Sequence, residues 1–507
     1  MNRVRLFILV NAAFVLCLFV GMGLHGLLTH PLYLIALFAL CSSPILNFRQ
    51  INDEYFLLYL FSAWYFFWFG VLDFAAQVVG GDGVTTASAG VIDKAEGVIL
   101  FGGVLFQIFY RLVARGTDAK EASTAREWPE LTLTVVGVTL WAVSTWLVWQ
   151  FSLYIVKDTT TDAIRMGLGS LGGLETDMYM LANYFQPFSI MLLAYGRFRY
   201  RRAYLTPVVI VALAVQFILG FVADAKGQAL SGVVITLIVK FLVDRQVPKL
   251  WLVGATAFVL VSFPLLQANR AVRHSTELSR ASAAENLGKT FTDALQIKEK
   301  VAGGANRVQN IFERISMKDG FEVIINKTGD TVDYRHGDTL IALPTAFIPR
   351  IIWPDKPMIQ VGKLVAKQFH PEASDEVNLS PTHLAELYWN FGWTGVAVGM
   401  PIIAVLFGWI GAKCNLSRGV TLTRLLVLMV TTQTVVQGFE ASIAIQYSVW
   451  LRMMAGVGIL HWLFARRATG QTASNPPQAI ARGSTPAVAS EMGLVNVLQP
   501  RYQNLLR

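Results

Sequence analysis

Charged side chains are scarce in this chain. Only 15% of its 507 residues are Asp, Glu, Lys or Arg, against about 25% in an ordinary soluble domain. With 54% hydrophobic residues and a mean hydropathy of +0.49, a water-soluble globule is excluded and a polytopic membrane protein remains. Cysteine is sparse too. Cys17 and Cys41 lie in apolar runs and Cys414 in a short basic loop, so no spacing suggests a zinc site or a disulfide framework. The sequence also lacks a P-loop, a GxSxG or HExxH motif, an internal repeat, and any DxD-like or His/Cys cluster of metal ligands. The net charge of +9 is spread over short clusters between apolar spans, not over one polar face, and so argues against nucleic acid as a partner.

What is present is a series of apolar runs. Windows of about 19 residues predict an all-α protein with about twelve transmembrane helices, beginning near Leu6, Pro31, Tyr55, Val91, Leu131, Met178, Tyr204, Ala229, Leu250, Thr382, Thr423 and Ile443. Arg49, the Arg111–Arg126 group, the Arg197–Arg202 group, Arg245 with Lys249, Lys413 with Arg418, and Arg466 with Arg467 all fall on one side. The positive-inside rule makes that side cytoplasmic, both termini included. Residues 1–268 then hold spans one to nine and 381–467 spans ten to twelve. Residues 269–380 form one large extracytoplasmic loop, and 468–507, rich in Ser, Ala, Pro and Gln, a disordered cytoplasmic tail. Within the loop, Arg270 to Met317 reads as interfacial helices, Phe321 to Lys327 as short and β-branched, and the segment near 340–357 as re-entrant.

Five places carry candidate chemistry. Arg350 and Lys356 flank Trp353 and Asp355 in a loop stiffened by Pro349, Pro354 and Pro357, and a guanidinium there suits bidentate phosphate binding. Arg335 and His336 stand between Asp333 and Asp338, where a histidine acts as acid or base near neutral pH. Ser380 as N-cap and Pro381 at the first helical position open the tenth span, with His383, Glu386 and Asn390 on one face. Glu386 is an acid at membrane depth, costly without a task or a partner; the bland alternative is an ion pair to a neighbouring helix. Lys226, Arg270 and Arg273 lie where a lipid-linked anion would sit, and Glu440 and Gln446 bracket the last turn, with helix capping as the bland alternative.

The run Ile348-Pro349-Arg350-Ile351-Ile352-Trp353-Pro354-Asp355-Lys356-Pro357, followed by Glu386-Leu387-Tyr388-Trp389-Asn390-Phe391-Gly392-Trp393-Thr394-Gly395, resembles a pattern of bacterial oligosaccharide repeat-unit polymerases. These are the Wzy-like proteins of O-antigen and exopolysaccharide assembly. The local likeness covers roughly Tyr334 to Met400. It implies a large polytopic (GT-C-like) glycosyltransferase of the bacterial inner membrane, without metal or other cofactor, which moves a glycan from undecaprenyl diphosphate onto the next lipid-linked repeat unit. Partners on this reading are the lipid-linked donor and acceptor, membrane lipid and a chain-length regulator. Where the family often carries an arginine, Ala223-Asp224-Ala225-Lys226-Gly227 offers lysine. Arg350, Arg335, Lys356, Arg270, Arg273 and Lys226 are the expected cations for the diphosphate. Glu386 is the first choice of base and His336 or His383 the second, while His383, Asn390 and Trp353 are expected near the glycan. An O-antigen ligase and a flippase for the lipid-linked sugar are the alternatives.

Overall fold

The computed structural model describes residues 3–25, 30–48, 53–74, 93–116, 126–155, 173–222, 226–246, 248–258, 262, 266, 317–345, 348, 353, 361–371 and 379–467. These residues are mostly helical, and eight helices among them are long and apolar enough to cross a membrane. In chain order the helices are α1 Arg3–His25, α2 Pro31–Ser42, α3 Phe56–Phe66, α4 Lys94–Gly116, α5 Glu130–Ile155, α6 Gly173–Arg199, α7 Leu205–Val222 and α8 Lys226–Asp244. They continue with α9 Lys249–Phe258, α10 Met317–Lys327, α11 Val361–Phe369, α12 His383–Lys413, α13 Leu422–Thr431 and α14 Ile443–Phe464. Each of the twelve expected starts falls within a turn or two of a described helix. Four of the twelve are not among those eight: α2 with its 3₁₀ extension to Asn47 and α9 are short, and α6 and α8 are not apolar enough by the same measure.

Apolar residues run around the whole circumference of most helices because the surrounding solvent is hydrocarbon. Leu131 and Trp462 are each 75% exposed on the isolated chain, and lipid covers such residues without penalty. Interhelical contact therefore depends on close packing. α12 and α4 lie against one another, and a methyl group on Gly408 would come within 2.9 Å of the Tyr110 carbonyl oxygen, so only a small residue lets the two backbones approach this closely. Both α3 and α13 end in a π-helical turn, Phe67–Val71 and Thr432–Val436, and these irregular turns lie at the end of the molecule that carries the motifs.

Polar contacts sort into two ends. At one, Asn415 donates to Glu54 (2.8 Å), Arg245 donates to the Leu416 carbonyl (3.1 Å), and Arg202 pairs with Glu130 (2.7 Å). Two-residue strands β1 Arg126–Glu127 and β2 Arg466–Arg467 pair antiparallel there. The described members of the basic clusters that the sequence assigns to one side are thus physically gathered. At the other end stand His30, Asp73, Glu96, α10 and the start of α12.

The short β-branched run Phe321 to Lys327 is the second half of helix α10, and its buried residues Phe321, Ile324 and Ile325 follow a helical i, i+3, i+4 period. One expectation is corrected. The N-cap of α12 is Thr382, not Ser380. The Thr382 hydroxyl accepts the Ala385 N–H at 3.1 Å, Pro381 precedes the cap, and His383 is the first helical residue.

Candidate functional site

The second motif builds a corner at the start of α12. The helix is broken at Gly392, whose φ of 62° and ψ of −146° belong to a region that only glycine enters cheaply. The break turns residues 383–391 into a separate short helix. Gly395 lets the two halves close on each other, since a methyl group there would collide with the Leu387 carbonyl oxygen.

Asn390 is fully buried and spends its whole amide on the corner. Its Oδ1 accepts the Gly337 N–H (2.9 Å), and its Nδ2 donates to the Thr339 hydroxyl (2.8 Å) and to the Glu386 carbonyl (2.8 Å). The backbone adds His336 N–H to the Asn390 carbonyl and Arg335 N–H to the Trp389 carbonyl, at 3.1 and 3.0 Å. Residues 335–339 are thereby tied to the short helix. Phe391 covers Gly337, the N-cap of the 3₁₀ turn Asp338–Leu340. The corner fixes two candidate side chains, those of Arg335 and His336. Arg335 is half-buried, its guanidinium 5.3 Å from the Trp389 ring centre, and its Nε–H has no partner among the described residues. His336 is exposed at a positive φ of 50°.

Glu386 has no exposed surface. Its Oε2 accepts the Ile443 N–H at 2.7 Å and its Oε1 the Ser442 hydroxyl at 3.2 Å, with the Thr339 hydroxyl as a further partner. Ile443 opens α14, so the carboxylate caps that helix at its positive dipole end. A helix N-terminus thus does what the ion pair was expected to do, and no cation pairs with Glu386 among the described residues. His383, also fully buried, packs against the rings of Phe439 and Tyr447 at 5.0 and 5.6 Å. Both of its ring nitrogens lack a partner among the described residues.

The structure therefore brings together Arg335, His336, Asn390 and, through Thr339, Glu386. Trp353 is exposed. Lys226 opens α8, and its side chain lies outside what is described; so do Arg270, Arg273, Arg350 and Lys356. Glu440 ends a 3₁₀ turn, Gln437–Glu440, and one of its carboxylate oxygens is buried without a partner among the described residues.

One constellation escaped the sequence reading. The Lys318 ammonium of α10 is buried between Glu96 (2.9 Å) and Asp73 (3.2 Å), with Glu322 at 3.5 Å and the Tyr33 ring centre at 4.7 Å. His30 Nδ1 reaches Glu96 at 3.2 Å. Burial opposes the ammonium, but the fields of Asp73, Glu96 and Glu322 outweigh it and hold Lys318 above its ordinary value. At the far end of α10, Lys327 donates to the Phe369 carbonyl (2.7 Å), and Phe369 packs edge-on against Trp389. Helix α10 is thus a strut running from the ends of α2, α3 and α4 remote from the basic clusters to the turn that bears Arg335. Asp73 and Glu96 were legible as acids at span ends. Their pairing with Lys318 was not.

Fold and site together define a helical polytopic membrane protein with a rigid polar corner at the end remote from its basic clusters. The chain belongs to the family described as a domain of unknown function, DUF8712, whose model matches residues 154–464, a stretch that contains the corner. No curated protein and no solved structure matches it.

Proposed function

We propose that this protein is a membrane glycosyltransferase that polymerises lipid-linked oligosaccharide repeat units, passing a growing glycan from polyprenyl diphosphate to the next unit. The observation that carries the reading is the tie made by Asn390. Each of Glu386, Asn390, Phe391, Gly392 and Gly395 has a definite physical task in the corner, and together they fix a cation and an imidazole at its surface.

Transfer breaks the bond from sugar C1 to the diphosphate oxygen and makes one from C1 to an acceptor hydroxyl. Negative charge grows on the leaving diphosphate, and a preorganised cation beside it lowers the barrier. Arg335, held on Trp389 with an Nε–H that has no partner among the described residues, is the described group for that task; Arg350, Lys356, Arg270, Arg273 and Lys226 are the further cations that the sequence proposes for the diphosphate. His336 takes the acceptor proton. Glu386 and Asn390, whose polar atoms are committed within the protein, are positioning residues in this scheme. Trp353 stands at the interface. The twelve-span layout, with the corner facing away from the cytoplasm of the bacterial inner membrane and both termini inside it, follows from the basic clusters at the opposite end.

The lipid-linked glycans of a strain lacking the protein test the reading. Single repeat units on the lipid carrier, without polymer, are expected. Accumulated polymer on the carrier would instead indicate a ligase, and single units confined to the cytoplasmic leaflet a flippase.

A further inference from the structure

Arg452 is a cation in the interior of the last membrane helix. α14 runs from Ile443 at the corner to Phe464 at the basic end, and Arg452 lies about 14 Å along the axis from the first and about 18 Å from the second. That is too deep for its side chain to snorkel to either end. Ile445 and Ile459, seven residues to either side and so on the same face, are 43% and 59% exposed. This face of α14 is a lipid-facing isoleucine stripe interrupted by one guanidinium, a costly arrangement unless an anion joins it.

The side chain is half-buried and turns back along its own helix. Its Nε–H donates to the Ser448 carbonyl at 3.3 Å and an Nη2–H to the Ser448 hydroxyl at 3.4 Å, which lifts the guanidinium one turn towards the corner. Neither partner is charged, and no carboxylate pairs with Arg452 among the described residues. Across the gap, the phenol of Tyr184 on α6 lies in the field of that charge. One turn further in, Phe185 closes the gap, its ring 3.5 Å from where a methyl group on Gly456 would stand. α14 also packs against Asp338–Leu340 and Ala342–Thr345, the segment that follows Arg335.

A guanidinium with N–H groups to spare suits phosphate. Everything beyond the phosphate must tolerate hydrocarbon, since the isoleucines offer no hydrogen bond and the Ser448 hydroxyl gives its proton to the Ile445 carbonyl at 2.8 Å. A diphosphate borne directly on a polyprenyl chain meets both conditions. A glycan-bearing carrier or a glycerophospholipid does not, because its polar group beyond the phosphate would have to follow it in. We infer that the cleft between α6 and α14 receives the spent carrier, sugar-free polyprenyl diphosphate, with its phosphates on Arg452 and its chain along the isoleucine stripe. The inference rests on the polymerase reading, which makes that molecule a product of every transfer at the corner; the cleft gives it a lateral way into the bilayer.

The test uses full-length protein in mild detergent. Native mass spectrometry counts bound undecaprenyl diphosphate, with undecaprenol, which lacks the phosphates, and phosphatidylglycerol as competitors. Because Arg335 also offers a cation to diphosphate, the comparison is made on Arg335→Ala protein. There the diphosphate is expected to be retained over both competitors. Adding Arg452→Leu should weaken its affinity at least about tenfold, the loss of one charge-assisted hydrogen bond, with undecaprenol retention unchanged. Leucine matches the neighbouring isoleucines, so the unfolding midpoint should hold or rise. A lowered midpoint with diphosphate affinity intact would make Arg452 structural and overturn the inference. Equal retention of diphosphate and undecaprenol, or displacement of the diphosphate by equimolar phosphatidylglycerol, overturns it as well. Should Arg452→Leu fail to elute as folded protein, Arg452→Gln, which keeps a donor for Ser448, decides alone. Failure of the polymerase reading looks different: the diphosphate would bind through Arg452, yet wild-type protein would form no polymer from lipid-linked saccharides.

Discussion

Glu386 illustrates how much a single residue's surroundings decide. A carboxylate at membrane depth invites a catalytic role, but its oxygens hold the Ile443 N–H and the Ser442 hydroxyl, and no surface of it is exposed. A positioning role has a distinct signature. Glu386→Gln keeps an oxygen for the Ile443 N–H, so protein should accumulate and polymer synthesis should stay within about tenfold of normal. Glu386→Ala leaves that buried N–H unpaired at a cost of about 1–3 kcal/mol and should lower abundance. Loss of a general base would instead reduce activity by about 10² to 10⁴ at normal protein level. That outcome in Glu386→Gln would restore Glu386 as the base in place of His336. Gly392 permits an equally sharp expectation. Its φ and ψ exclude side chains, so Gly392→Ala should cost about 1–3 kcal/mol, read as a lower midpoint in thermal unfolding. An unchanged midpoint would mean that the helix break is not needed.

At the scale of elements, α10 is the part that links membrane helices to the corner. Lys318→Met leaves Asp73 and Glu96 buried without their cation, which costs about 3–5 kcal/mol. The expected result is release of α10 and faster tryptic cleavage at Arg335, with α12 to α14 still folded. Adding Asp73→Asn and Glu96→Gln removes the two negative charges that Lys318 balances. A glutamine in place of Glu96 would still serve the reciprocal cap with Asp93, whose two bonds measure 2.7 and 3.2 Å, so the triple variant should regain protection at Arg335. If it does not, the Lys318 charge is needed for more than neutrality. The raised value of Lys318 fixes the sign with pH. Its contribution is complete below the ordinary lysine value of about 10.4 and is lost only as pH climbs through the higher folded value. Protection at pH 7 and pH 9 should therefore be equal.

These elements were unequally legible. The apolar runs gave the starts of the membrane helices because length and hydropathy are local properties. The shared face of Glu386 and Asn390 was legible for the same reason, from helical spacing alone. The cap at Thr382 was misplaced by two residues because Ser380-Pro381 carries the stronger formal signal, and only the hydroxyl-to-Ala385 bond decides. The pairs of Lys318 with Glu96 and Asp73 could not be read at all, since they join residues 222 and 245 positions apart. No local pattern encodes such a contact.

For the whole molecule, the arrangement separates a basic end from a motif-bearing end across a bundle of apolar helices. Sidedness follows if the basic end faces the cytoplasm. A cysteine introduced at Thr331, on the exposed turn before Arg335, should react with a membrane-impermeant thiol reagent in cells with a permeabilised outer layer. One introduced at Gln246, exposed on the link between α8 and α9, should react only after lysis. The reverse pattern would turn the corner towards the wrong compartment.

Purified protein gives the sharpest assay of the glycan transfer between lipid carriers proposed for the Arg335–His336 corner. Lipid-linked saccharides extracted from a strain lacking the protein supply donor and acceptor together, and mass spectrometry follows their conversion. A ladder of products spaced by the mass of one repeat unit is expected, with polyprenyl diphosphate released in step. Arg335→Ala should lose at least about tenfold in rate, the loss expected for one charge-assisted hydrogen bond of roughly 1.5–3 kcal/mol, with folding unchanged. Unaltered saccharide masses in the presence of folded wild-type protein, or a full ladder from Arg335→Ala, would contradict it.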